Sequence, residues 1–157
     1  MDRDLLLDRR SFVRIGTLAL AAIVGGARSL GAAGPDELTD EVKKVLAQHF
    51  GMRTIVPGHV TLDVPDVAPD SREVPIFIEV DLPMAPDNYV KAIHVLVDHN
   101  PDIYLAAFDL TPDLGSAAID TRIKMRRSSH VRVIAETSAG ELWSASRMVY
   151  TTLNGCV

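Results

Sequence analysis

The sequence holds one cysteine, Cys156, in 157 residues. That scarcity excludes an intramolecular disulfide and leaves any covalent role of the sulfur to an external partner. A long hydrophobic run is also missing. The most apolar stretch, from Ile15 to Ala27, is about thirteen residues, against the roughly twenty that a membrane-spanning helix needs. Low-complexity tracts and fixed-period repeats are absent, and 47% hydrophobic with 24% charged residues is not the composition of a disordered chain. No histidine or methionine follows Cys156, so a blue-copper ligand loop cannot be built around it. The four-residue prenylation box is lacking too. Basic residues are in deficit: the formal charge of −5 argues against nucleic acid or an anionic membrane as partner.

What is present begins with an address. Arg9-Arg10-Ser11-Phe12-Val13-Arg14 precedes the short apolar run, and the small residues Gly31-Ala32-Ala33 suit a signal peptidase. Residues 1–33 therefore read as a twin-arginine export signal, with Arg9 and Arg10 as its recognition pair, and residues 34–157 as one mature domain in the periplasm. Removing five of 16 basic and three of 21 acidic residues leaves a net charge of −7. The twin-arginine route carries folded cargo, and assembly with a second subunit before export would be a sufficient reason for using it.

In the mature chain Pro35, Asp36 and Glu37 suit the first turn of a helix, Leu38, Val42, Val45 and Leu46 recur at helical spacing, and Gly51 is a stop. One amphipathic helix over 35–50 is expected, with a narrow apolar stripe for a sheet or a partner. From His59 the period changes to two. Strands are expected at 60–64, 74–80, 90–97, 103–110, 117–125, 131–137 and 142–153, separated by turn signals such as Asp98-His99-Asn100-Pro101. About seven short strands without intervening helices point to an all-β, immunoglobulin-like antiparallel sandwich over 59–153. A small barrel is the alternative. Trp143 reads as a core aromatic, and Met148, Tyr150 and Leu153 as the residues anchoring the last strand.

That strand delivers a short arm, residues 151–157, with the thiol near its tip. Asn154-Gly155 gives the backbone a permissive dipeptide just before the sulfur. The opposing reading is an inert cysteine in a frayed terminus. A terminal arm is a poor place for a cysteine-protease nucleophile, which must be held against a histidine in a cleft. A thiol of ordinary acidity is also only a few per cent ionised near neutrality, so it suits a handle on which other enzymes act. The five histidines are scattered, and His94 and His99 would face opposite ways along a continued strand, so no metal site is expected. Lys124, Arg126 and Arg127 form a basic cluster, either a solvated strand end or a docking patch for an acidic partner.

The runs Val74-Pro75-Ile76-Phe77-Ile78-Glu79-Val80-Asp81-Leu82-Pro83-Met84, Tyr89-Val90-Lys91-Ala92-Ile93-His94, Asn100-Pro101, Thr121-Arg122-Ile123 and Val133-Ile134-Ala135-Glu136, with Gly155-Cys156 at the end, resemble the SoxY family of carrier subunits in bacterial thiosulfate oxidation. The resemblance covers nearly the whole chain. It implies an immunoglobulin-like sandwich paired with a SoxZ-like subunit, and Cys156 as the site where the sulfur substrate is attached covalently, preceded by the glycine of the arm at Gly155. It further implies that a Sox haem enzyme joins thiosulfate to the cysteine and that a manganese-dependent hydrolase releases sulfate. The carrier itself catalyses nothing and holds no cofactor. The family arm usually ends Gly-Gly-Cys-Gly-Gly. Here Asn154 stands for the first glycine and Val157 alone for the last two. The alternative function is a non-carrier interaction subunit of the same fold with a vestigial cysteine.

Overall fold

The computed structural model describes residues 38–152. Two β-sheets face each other, with one helix on the outside of the larger. The helix, α1, runs Asp40–Phe50, not from Pro35 as expected: Leu38 and Thr39 are non-helical. Thr39 is the N-cap, its hydroxyl accepting from the Val42 amide at 3.3 Å, and Asp40 and Glu41 occupy the first turn. That side-chain cap satisfies an amide that would otherwise lack a partner, so the helix starts there. Gly51, at φ 65°, ends it.

The ten strands among the described residues are β1 Ile55–Pro57, β2 Val60–Asp63, β3 Val67–Ala68, β4 Val74–Val80, β5 Met84–Ala85, β6 Asn88–Val97, β7 Tyr104–Asp109, β8 Ala117–Ile123, β9 Ser129–Thr137 and β10 Leu142–Thr151. All seven expected strands are present. The short β1, β3 and β5 lack enough residues to show a period. The run expected to 125 stops at Ile123, because residues 124–128 turn away to join β9.

The larger sheet has the order β1-β10-β9-β6-β5, with β3 also on β10 and β7 also on β6; the smaller is β2-β4-β8. The architecture is the immunoglobulin-like sandwich, not the barrel: β7 pairs with β6 and β8 with β4, so the sheets do not close on each other on that side. In β4 the expected alternation is complete, with Val74, Ile76, Ile78 and Val80 buried and Pro75, Phe77 and Glu79 outward. Each such buried aliphatic contributes about 1.5–3 kcal/mol. They meet Val95, Val97, Val131, Val133 and Val149 of the larger sheet in one core.

The chain between β1 and β2 changes sheet. Gly58, at φ 132°, and His59, at φ 54°, make the corner, where the Gly58 amide donates to Ser144 O at 3.1 Å. A Cβ at Gly58 would lie 3.8 Å from the Trp143 ring, so the backbone conformation rather than space selects glycine. Trp143 packs against the core as expected, although it is only partly buried, with the His59 ring edge-on at 4.4 Å.

β9 is the central strand of the larger sheet, and residues 131–137 are all buried. Its inner face meets the smaller sheet. Its outer face is partly covered by α1, where Phe50 packs with Leu96, Ile134 and Leu142. The narrow stripe of the helix thus lies on a sheet.

Candidate functional site

The feature that the fold prepares is the place where the C-terminal segment leaves the sandwich. β10 is held in the core by Val149, which is fully buried, whereas Tyr150 is 56% exposed. This corrects the expectation that Met148 and Tyr150 anchor the strand. The inward residues of β10 are the odd-numbered ones, as Trp143, Ala145 and Val149 in the core show, so Met148 and Tyr150 point the other way.

Beyond Val149 the backbone takes over the anchoring. Tyr150 N donates to Asp66 O at 2.8 Å and Thr152 N to Ala68 O at 3.3 Å, so the last turn of chain pairs in parallel with β3. Thr151 N donates to Ser128 Oγ at 2.9 Å, and Thr152 Oγ1 donates to Pro69 O at 2.9 Å. The exit is therefore clamped between two loop segments, 66–73, which carries the short β3, and 124–128. Cys156, Gly155 and Asn154 lie outside the described residues, as do Leu153, Arg9 and Arg10.

Both loops are held in shape. Asp70 accepts from Arg72 N at 2.9 Å and from its guanidinium at 3.0 and 2.8 Å. The Arg72 side-chain hydrogen bonds, followed by its backbone one, hold the Asp70 carboxyl down at about 2. Ser71 O accepts from Met125 N at 2.7 Å, and Met125 is buried. The Asn100 side chain grips the second loop twice, donating to Lys124 O at 2.7 Å and accepting from Arg126 N at 2.8 Å. Lys124, Arg126 and Arg127 are consequently presented on a fixed backbone beside the exit, all three exposed.

A second polar cluster, not anticipated from the sequence, lies on the outer face of the larger sheet beside α1. Glu136 on β9 is ion-paired with Arg53, the residue two beyond the helix stop, and with Lys91 at 3.1 Å. Burial by itself would raise the Glu136 carboxyl, but the hydrogen bonds from Arg53 and Lys91 outweigh it and the net shift is downward. His94 Nδ1 lies 2.7 Å from the Tyr104 hydroxyl, and its Nε2 is 3.6 Å from Glu136, too long for a hydrogen bond. Desolvation lowers the His94 pKa despite the nearby carboxylate. Burial raises Tyr104, with Asp109 and Glu136 adding to the effect. His49 of α1 stacks on Tyr104 at 3.8 Å. Further along β9, Arg132 holds Asp98 through both carboxylate oxygens at 2.8–3.1 Å, and both residues are buried. The signal for these pairs was Arg132 and Glu136, four apart and hence on one face of the strand, among the apolar Val131, Val133, Ile134 and Ala135. These clusters fasten α1 and the turn after β6 to the sheet. His99, in the turn after β6, donates its amide to Ser129 Oγ at 3.0 Å.

Comparison with known proteins gives two findings. The family model described as "Sulfur oxidation protein SoxY" matches residues 46–156. Among solved structures, the sulfur carrier protein SoxY from Chlorobium limicola f thiosulfatophilum superposes with a TM-score of 0.60 at 21% identity, covering 71% of this chain and 96% of that one. A superoxide reductase (neelaredoxin) from Ignicoccus hospitalis gives 0.50 at 13% identity, covering 60% and 81% respectively. At these identities the two structures speak for the fold alone. A search of curated proteins returns no significant match.

Proposed function

The chain belongs to the SoxY family of sulfur oxidation proteins, and from that premise we propose that it is a periplasmic carrier that binds thiosulfate-derived sulfur covalently on Cys156 and presents it to the enzymes of sulfur oxidation. The observation that carries this reading is that the family match runs through Gly155-Cys156, the only cysteine of the chain. The clamped exit at Thr151 and Thr152 supports it. An arm that must enter another protein's active site works best from a root that does not move, because the search is then confined to the few residues beyond it. Cys156 is the fourth residue beyond Thr152, a reach of at most about 14 Å.

The carrier works as a heterodimer with a SoxZ-like subunit, exported with it through the signal at Arg9-Arg10. A Sox haem enzyme loads the thiol and a sulfate-releasing hydrolase unloads the terminal sulfone. The carrier contributes position, not catalysis.

Intact-mass analysis of the protein from periplasm of thiosulfate-grown cells tests the reading. Adducts of thiosulfonate or sulfane mass on the C-terminal peptide are expected, and none on a Cys156→Ser chain. An unmodified native cysteine under those conditions would favour the non-carrier interaction subunit. Adducts persisting in Cys156→Ser would move the site elsewhere.

A further inference from the structure

The loop 124–128 stands out electrostatically. The chain as a whole carries a formal charge of −5, yet Lys124, Arg126 and Arg127 fall within four consecutive residues. All are exposed, and among the described residues none has a carboxylate partner, while nearby Arg72 and Arg122 are paired with Asp70 and Glu73. A merely solvated strand end needs no fixed backbone. This one is gripped by Asn100 on two sides and pinned by buried Met125. It is also joined to the arm root through the Ser128–Thr151 hydrogen bond. On its other side Lys124 borders an opening of about 190 Å³ between the unpaired edges of β7 and β8, lined by Leu105, Phe108 and Ile123.

From this juxtaposition we infer that the 124–128 loop is a docking surface for an acidic protein surface, the rim of the cleft that receives the arm. The inference rests on the carrier reading, since it assigns the loop to the enzymes that act on Cys156. Three exposed cations next to the arm root, none with a carboxylate partner among the described residues, place attraction where it orients the arm toward a partner's cleft. Opposite charge at an interface rim acts chiefly on association rate and register. The occupant is a protein and not an anionic membrane, because the remaining surface of this acidic chain would be repelled by a lipid plane, whereas a local acidic rim meets only the loop.

The test uses the mature chain with its SoxZ-like subunit and Cys156→Ser, which cannot be loaded, so that docking is read apart from chemistry. Association with a Sox haem enzyme is measured at about 20 and about 200 mM salt, across which screening shortens from roughly 20 to 7 Å. Association of the parent should slow about tenfold between the two, and Lys124→Glu, Arg126→Glu and Arg127→Glu together should slow it about tenfold at low salt and remove the salt dependence. The corresponding glutamine variant should fall between. Equal rates for parent and reversed chains would overturn the inference. So would binding of the parent, but not of the reversed chain, to vesicles of phosphatidylglycerol and phosphatidylethanolamine without any salt-sensitive binding to the enzyme. If the native cysteine is never loaded while docking behaves as expected, the carrier reading fails and the docking surface stands.

Discussion

The Thr151 amide donates to Ser128 Oγ at 2.9 Å, and this bond ties the last strand to a loop 23 residues earlier. It lies at the point where β10 ends, and Thr151 is partly buried, so water can only partly replace the hydroxyl. Ser128→Ala should cost about 1 kcal/mol in denaturant unfolding. It should also speed hydrogen exchange at Thr151 and Thr152 while leaving the amides of β4 and β9 unchanged. Exchange at Thr151 as slow in the variant as in the parent would remove Ser128 from the root.

Glu136 gathers Arg53 and Lys91, whose side chains are each about two-fifths exposed, around a carboxylate that is 11% exposed. Glu136→Gln keeps the shape and removes the charge. Because both cations can turn to water, the loss should be about 1–3 kcal/mol, below that of a fully buried pair. The double variant with Arg53→Gln should lose less than the sum of the two singles. Additive losses would show that the two residues act independently.

His94 couples the fold to pH. A free histidine titrates near 6.5, and in the fold desolvation lowers that value against the pull of Glu136, with His49 helping to lower it and Asp109 opposing. Between the folded and unfolded values the unfolded chain holds the extra proton, so stability is full above about 6.5 and is lost as pH falls through the folded pKa. Unfolding midpoints at pH values on either side of 6.5 should therefore fall toward acid. The fall should be smaller in His94→Phe, which cannot titrate. The Glu136 carboxyl, also lowered, adds a separate loss below its ordinary 4.5. An equal acid loss in His94→Phe would assign the effect to other groups.

The arm departs from the family pattern at Asn154 and Val157. A β-branched residue beside the sulfur is wider and stiffer than glycine. Replacing both with glycine should raise the rate at which a Sox haem enzyme loads thiosulfate and leave the melting temperature unchanged, since the described core residues are all untouched. Equal loading rates would make the departure harmless.

The two periods, 3.6 before Gly51 and two after His59, were enough to name one helix and seven strands. A side chain's direction relative to its own backbone is a local property, and at Val74–Val80 or Val131–Thr137 nothing overrode it. The anchoring of the last strand was misjudged at Met148 and Tyr150 for a related reason: in a strand adjacent residues face opposite ways, and only packing tells which parity is inward. The resemblance carried by Gly155-Cys156 and by the strand motifs was legible because those residues are contiguous.

Left to the tertiary structure were the relations between residues far apart in the chain. Glu136 reaches Arg53 across 83 positions, and Gly58 with His59 moves the chain from one sheet to the other. Lys124, Arg126 and Arg127 read as a basic cluster in the sequence and became a surface beside the arm root only when Ser128 met Thr151. No period or spacing encodes such a meeting. It follows from how the two sheets pack, once burial of Ile76, Ile78 and Val149 has set which faces meet.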